Sequence, residues 1–179
     1  MITESGADGL SVRALAGRVD YSPGALYKYF QNKDDLLDAV RAAGFQQLRD
    51  RILAIPMDRN PGERIVKAGE VYLAFAGEHP EQYFLMFANR AGFSDAASTA
   101  AGRSAYDALR NIVDAGIQSH KIRNEPGFGL DEIAYGCWAI VHGLAMLRLL
   151  FHGHGLEHLA ATERRILEAY VAGVVHESN

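Results

Sequence analysis

The chain has 179 residues, 49% of them hydrophobic, and a formal net charge of −4, which suits one large or two small globular domains. A single cysteine, Cys137, excludes an intrachain disulfide, and the sequence shows no internal repeat, acidic tail or low-complexity run. Because no signal peptide opens the sequence either, we expect a reducing, cytoplasmic environment.

Residues 11–36 predict two short amphipathic helices and the start of a third. The apolar face of the first helix carries Val12, Leu15 and Val19. Ser22 followed by Pro23 then supplies an N-cap acceptor and a residue with φ already in the helical range, so a second helix begins there.

The second helix turns Leu26 and Phe30 inward and leaves Lys28 and Tyr29 accessible. A third helix start follows at once. Asn32 can cap it, and the acidic residues 34 and 35 lie in its first turn, where the helix dipole favours negative charge.

Basic charge is concentrated in this segment. Residues 11–33 carry four basic side chains and one acidic one, a balance of +3, from Arg13, Arg18, Lys28 and Lys33 against Asp20. Residues 1–55 as a whole are neutral, with seven basic and seven acidic residues. Cations, hydroxyls and free amides at helix N-termini hold a DNA duplex in register, while protruding side chains contact base edges. The layout is typical of a helix-turn-helix DNA reader.

The segments LSVRALA, YSPGALYKYF and NKDDL resemble the DNA-binding domain of the tetracycline-repressor (TetR) family of bacterial transcriptional regulators. The resemblance implies that Ser11 and Arg13 contact phosphates and that Lys33 binds a flanking phosphate. It also implies that the major groove and its walls are lined by Ser22, Gly24, Ala25, Tyr27, Lys28 and Tyr29. The alternative is that the two tyrosines pack the small domain and the lysines are solvated surface charges.

Members of the family carry a full helix before this motif, which covers the apolar side of the reader helices. Here only about ten residues precede it, too few for a helix of usual length. We therefore expect the natural protein to extend upstream of Met1 by a further helix. The predicted organisation is a helix-turn-helix domain at 1–45, its first helix largely missing, and a helical effector-binding and dimerisation domain at 46–179.

The remainder of the chain predicts successive helices and no strand. Apolar residues stepping by three and four run from Leu37 to Ile55 and stop at Pro56. Further helices are predicted from Pro61 to about His79, at QYFLMF, around 106–117, at 131–151 and from 156 to about 176, with NEPGFG as the clearest break. The predicted fold class is all-α.

The run IAYGCWAIVHGLAMLRLLF, residues 133–151, is apolar on nearly every side. Its nineteen residues could span a membrane, but His142 and Arg148 lie inside it and no charged flanks or aromatic belts frame it, so we expect no membrane contact. Instead, one face should meet the core and the other a second subunit, with the last helix completing a twofold four-helix bundle. The predicted dimerisation residues are Leu144, Leu147, Phe151, Ile166, Tyr170 and Val174.

Within this run, W-A-I-V-H-G from Trp138 to Gly143 is similar to the WHG-type C-terminal domain of part of the TetR family. Such domains enclose a small-molecule pocket, which implies a homodimeric repressor released from a near-palindromic DNA operator by a largely apolar effector. The candidate pocket residues are Tyr72, Phe75, Tyr83, Phe84, Met86, Phe87, Trp138, His142 and Met146. The same residues fit a plain core, and His142 is either a hydrogen-bonded core histidine or a polar contact for an effector.

The sequence contains no nucleophile elbow, phosphate loop or paired metal-ligand motif, so it predicts neither an enzyme nor a cofactor or metal site. A second hypothesis is a small all-α binding protein or hydrolase that uses the turn containing His152, His154 and His158. That spacing lacks acidic or cysteine companions, and the hypothesis leaves the N-terminal motif unexplained.

Overall fold

The computed structural model describes residues 30–57, 60–87, 96–151 and 160–176, with the backbone alone at 96–99. This part of the chain is helical, with isolated β-bridges but no strand, which confirms the all-α class. Its helices, numbered in chain order, are α1 (Lys33–Leu53), α2 (Pro61–Glu78), α3 (Pro80–Phe87), α4 (Ala96–Gln118), α5 (Leu130–Leu150) and α6 (Ala160–Val174).

Side-chain caps explain where the first two helices begin. Asn32 Oδ1 accepts a hydrogen bond from the backbone N–H of Asp35 at 2.9 Å, the cap that the sequence predicts for α1. Asn60 Oδ1 accepts from the N–H of Gly62 at 2.9 Å, and Pro61 occupies the first turn of α2. Each cap satisfies a backbone donor that has no partner inside the helix.

Helix α2 runs through the middle of the described bundle. It packs against α1, α4, α5 and α6, while α1 and α4 form the most extensive helix pair. Phe75 of α2 is completely buried, as are Tyr83 of α3, Val113 of α4 and Ile133 of α5. Residues predicted on separate helical stripes therefore meet in one continuous core.

Helices α2 and α6 approach each other closely at Gly69. A Cβ atom at this position would lie 2.7 Å from Leu167 Cδ1, closer than side chains normally come. The inward face of α6 contains Leu167 and Val171, whereas Ile166 is 40% exposed. Val174, predicted to lie on the dimer face, is only 3% exposed and belongs to the core of the protomer. The apolar stripe on α6 is broad, so the sequence did not resolve which edge faces inward.

Helix α5 is buried along one face rather than all round. Its length and composition would allow it to cross a membrane. Ala134 and Val141 lie in the core, but Tyr135, Leu147 and Leu150 are 63%, 53% and 59% exposed. One face of α5 therefore lies in the core of the protomer, and the face predicted to meet a second subunit is exposed.

A partly buried ion pair joins α5 to α6. Arg148 Nε donates to Glu163 Oε1 at 2.9 Å, a second guanidinium nitrogen contacts the other carboxylate oxygen, and Arg148 Nη1 reaches the carbonyl of Leu73 on α2 at 3.3 Å. Glu163 is 3% exposed. Because a buried charge is costly without a partner, this pair specifies how the three helices meet.

Replacing Glu163 with glutamine is expected to reduce the free energy of unfolding by about 1–3 kcal/mol, because Arg148 loses its charged partner in a partly buried setting. Chemical denaturation measures the change. The matched control is Glu168→Gln, since Glu168 pairs with Arg164 at 2.8 Å on the exposed side of α6. The control should show little change. Equal losses in the two variants would contradict the structural role of the Arg148–Glu163 pair.

Candidate functional site

A cavity of about 300 Å³ lies between the helices, at the lower end of the range for small-molecule sites. Its wall is overwhelmingly apolar. The floor and sides include Leu48 and Ile52 of α1, Leu109 of α4, Val141 of α5 and Leu167 of α6. Every helix of the described part contributes to it, so the shape of the cavity depends on how these helices pack together.

Five aromatic side chains form what we call the aromatic collar at one part of this cavity: Phe45, Phe87, Tyr106, Trp138 and His142. Ring centroids are 5.5 Å apart for Phe45–Phe87, 4.6 Å for Phe87–His142, 6.1 Å for His142–Trp138 and 5.7 Å for Trp138–Tyr106. Four of the five line the cavity directly, and His142 stands behind them. Edge and tilted ring contacts of this kind fix the shape of the wall.

Behind the collar, Tyr72, Tyr83 and His142 form a hydrogen-bonded triad that joins α2, α3 and α5. The Tyr83 hydroxyl is 2.8 Å from His142 Nδ1, the Tyr72 hydroxyl is 3.0 Å from the same nitrogen, and the two hydroxyls are 3.2 Å apart. A neutral imidazole offers one lone pair, so a consistent arrangement has Tyr72 donating to Tyr83 and Tyr83 donating to His142. The two hydroxyls and the Nδ1 atom of His142 are thus hydrogen-bonded within the triad.

Burial keeps the triad uncharged at neutral pH. It lowers the pKa of His142 below its ordinary value and raises the pKa of Tyr83 to about 12. Burial, reinforced by Tyr83, also raises the pKa of Tyr72. Neutral, mutually bonded groups place no net charge beside the cavity.

Among the described residues, a charged side chain borders the cavity. Arg103 of α4 lines it and, unlike the other lining residues, is exposed to solvent. Among the residues that the structure describes, Arg103 has no ion-pair partner, whereas Arg110, two turns further along α4, pairs with Asp131. Arg103 therefore joins the cavity lining to the exposed surface.

The structure separates the predicted pocket residues into three groups. Tyr72, Phe87 and Trp138 line the cavity, and Tyr83 and His142 are bonded to its wall. The others lie away from the cavity lining, with Phe75 completely buried against the guanidinium of Arg51. These are Phe75, Phe84, Met86 and Met146.

Sequence reasoning missed the cavity residues on α1, α4 and α6, such as Phe45, Tyr106 and Leu167. Leu48, Ile52, Tyr106 and Leu109 stood on predicted apolar stripes, which was the available signal. A stripe shows which face is inward but not whether it meets another side chain or an open space.

Most predicted DNA contacts, from Ser11 to Tyr29, lie outside the described residues, as does the turn with His152, His154 and His158. Lys33 is described and is the half-buried first residue of α1. Within the described ranges, no cluster of three or more His, Cys, Asp or Glu side chains could hold a metal ion.

Two family profiles match the chain. Residues 65–173 match the tetracyclin repressor-like C-terminal domain, and residues 1–40 match the bacterial regulatory proteins of the tetR family. The chain belongs to the TetR family. It combines a segment that matches the family's N-terminal regulatory profile with a C-terminal helical domain. The WHG subtype stays a prediction.

Individual relatives agree with this assignment. An uncharacterized HTH-type transcriptional regulator of Mycobacterium tuberculosis is 24% identical over 148 residues, which are 83% of this chain. The chain spans 65% of the length of that relative.

Solved structures share the fold. A protein of unknown function from Rhodococcus sp. RHA1 has a TM-score of 0.82 at 25% identity. The match covers 98% of this chain and 90% of the Rhodococcus chain. A bacterial regulatory protein in the tetR family from Rhodococcus RHA1 has a TM-score of 0.73 at 18% identity, with 99% and 92% covered. The helical arrangement around the cavity is thus that of TetR-family folds.

The lowered pKa of His142 predicts a pH-dependent contribution to stability. As pH falls through the ordinary histidine range, the unfolded chain binds a proton that the folded chain resists, so stability falls. We expect His142→Asn, which retains an acceptor, to lose less stability than the wild type between pH 7.5 and 5.5 in urea denaturation. The control His120→Asn, at an exposed turn, should follow the wild-type profile. Identical profiles for all three proteins would contradict the prediction.

Proposed function

We propose that this TetR-family regulator is a cytoplasmic, ligand-responsive repressor that binds a near-palindromic operator as a homodimer. A small, largely apolar effector in the cavity would release it from DNA. The observation that carries the proposal is an apolar cavity of about 300 Å³ in the helical part of a chain whose first 40 residues match the family's DNA-binding profile. In this proposal, residues 1–45 form the DNA-binding domain, and residues 46–179 form the effector-binding and dimerisation domain.

Helix α1 is the physical link between the two proposed domains. The proposed boundary falls inside it, and no break interrupts the helix there. Its C-terminal half contributes Phe45, Leu48 and Ile52 to the cavity. Its N-terminal half is tied to α3, because Arg41 Nε donates to the carbonyl of Leu85 at 3.0 Å. A ligand that alters the packing of α1 would therefore redirect the DNA reader.

The size of this control is limited by the effector's own binding preference. An effector shifts the equilibrium between DNA-competent and released dimers only by its difference in affinity for the two forms. In a twofold dimer the two readers occupy successive major grooves about 34 Å apart. A small change in the orientation of α1 would alter that spacing.

The proposed dimer surface is the outer side of α5 and α6. Leu147, Phe151 and Ile166 are 53%, 45% and 40% exposed there. Gly143 and Gly173 are exposed, and a Cβ atom at either position would contact nothing within 4 Å in the protomer. Small residues beside exposed apolar side chains allow two helix pairs to pack closely.

Two other predicted dimerisation residues have roles inside the protomer. Leu144 is half-buried, and the Tyr170 hydroxyl donates to the carbonyl of Ile133 at 3.2 Å while the ring lines the cavity. Tyr170 therefore stands between the proposed interface and the proposed effector site.

Replacing Lys28 or Tyr29 with alanine is expected to weaken operator binding by roughly tenfold. Lys28→Ala should also reduce the slope of log affinity against log salt concentration by about one unit per binding site, because one phosphate contact is lost. Fluorescence anisotropy with inverted repeats from the DNA flanking the coding region measures both quantities. The control is Lys67→Ala, an exposed lysine on α2 paired with Glu70. Unchanged affinity and salt slope in both reader variants would contradict the DNA-contact assignment.

Replacing Leu147 with aspartate is expected to convert the dimer to a monomer at micromolar concentration, because a carboxylate would be buried against an apolar partner surface. Sedimentation equilibrium separates the 19.6 kDa protomer from a dimer. Leu53→Asp is the matched control, since Leu53 is a similarly exposed leucine, at 60%, on α1 and not on α5 or α6. A Leu147→Asp protein that sediments as the wild-type dimer would refute the proposed interface.

A further inference from the structure

The interior of the cavity offers an occupant apolar contact and little else. Among the polar side chains that line it, the Tyr72 hydroxyl is bonded to Tyr83 and His142, and the Tyr170 hydroxyl donates to the carbonyl of Ile133. An occupant with polar groups deep inside would give up its own hydrogen bonds to water without replacing them. The buried portion of a well-matched ligand is therefore hydrocarbon.

The mouth of the cavity has the opposite character. Arg103 borders the cavity, is exposed and has no ion-pair partner among the residues that the structure describes. Asp107, one turn further along α4, is the acidic residue next to it on the helix, and the two form no ion pair. A guanidinium group at the edge of an apolar space favours an anion, and its planar fork fits a carboxylate.

The volume limits the size of the occupant. A cavity of about 300 Å³ has room for about ten water-sized groups, since each occupies about 30 Å³. That corresponds to a hydrocarbon chain or compact ring system of about ten non-hydrogen atoms.

We propose that the effector is a small amphipathic carboxylate, with its apolar body inside the cavity and its carboxylate at Arg103. This inference depends on the proposed function, because it identifies the chemical class of effector for the same cavity. The apolar body lies against Leu48, Leu109 and Leu167, and the aromatic collar surrounds the portion near Trp138.

The test uses the full chain and three probes of equal length: decanoate, 1-decanol and decyltrimethylammonium. Trp138 is the single tryptophan in the sequence and lines the cavity, so its fluorescence reports binding directly. We expect decanoate to bind most tightly, 1-decanol more weakly and the cation most weakly. Arg103→Gln should weaken decanoate binding about tenfold and leave 1-decanol unchanged.

Two further variants distinguish the effect of the charge at Arg103 from the effect of cavity volume. Arg110→Gln removes a positive charge from the same helix at a residue that does not line the cavity, and it should keep wild-type affinity for decanoate. Ala105→Ile places extra carbon atoms in the cavity wall, where Ala105 is 6% exposed, and should weaken decanoate and 1-decanol alike.

The outcomes distinguish this inference from the proposed function. Equal affinities for decanoate and 1-decanol, or an Arg103→Gln protein that binds decanoate as tightly as the wild type, would overturn the carboxylate assignment. The cavity would remain available to a neutral effector. If decanoate binds as expected but leaves operator affinity unchanged in anisotropy, the carboxylate assignment is supported. The proposal that the effector releases the protein from DNA is then contradicted.

Discussion

The packing of the helices around the cavity depends on the hydrogen bonds among Tyr72, Tyr83 and His142. These side chains come from α2, α3 and α5, so their contacts fix how three helices meet. Buried polar groups are costly unless they are paired, and here the two hydroxyls and His142 Nδ1 are paired within the triad. Because these polar groups are hydrogen-bonded behind the cavity wall, the cavity itself can remain open and apolar.

A cavity of this kind is costly in packing, since the side chains around it lose contacts that a filled core would provide. The bundle compensates elsewhere. Gly69 allows α2 and α6 to approach closely, and Arg148 connects α5 to Glu163 of α6 and the backbone of α2. An occupant that restores the lost contacts would stabilise one arrangement of the helices, which is the action required of the proposed effector.

Much of the fold could be predicted from local sequence. The Asn32 cap, the start of α2 at Pro61 and the end of α1 before Pro56 appear in the structure as predicted. Local chemistry decides these features because caps and prolines act within one helical turn. The face of α6 that packs against the core was harder to predict, since Ile166 and Leu167 are adjacent and equally apolar. Only packing against Gly69 selects Leu167 for the interior.

The sequence by itself determined the all-α class, the family and several helix ends, because periodicity, caps and short motifs are properties of neighbouring residues. It did not place the start of α4, which begins at Ala96, well before the predicted segment around 106–117. Tertiary structure alone decided that Phe45, Tyr106 and Trp138 surround one cavity, that Phe75 lies away from it, and that Arg103 stands at its mouth. These side chains come from different helices. Their proximity follows from how the helices cross and pack, and no single helical pattern carries that information.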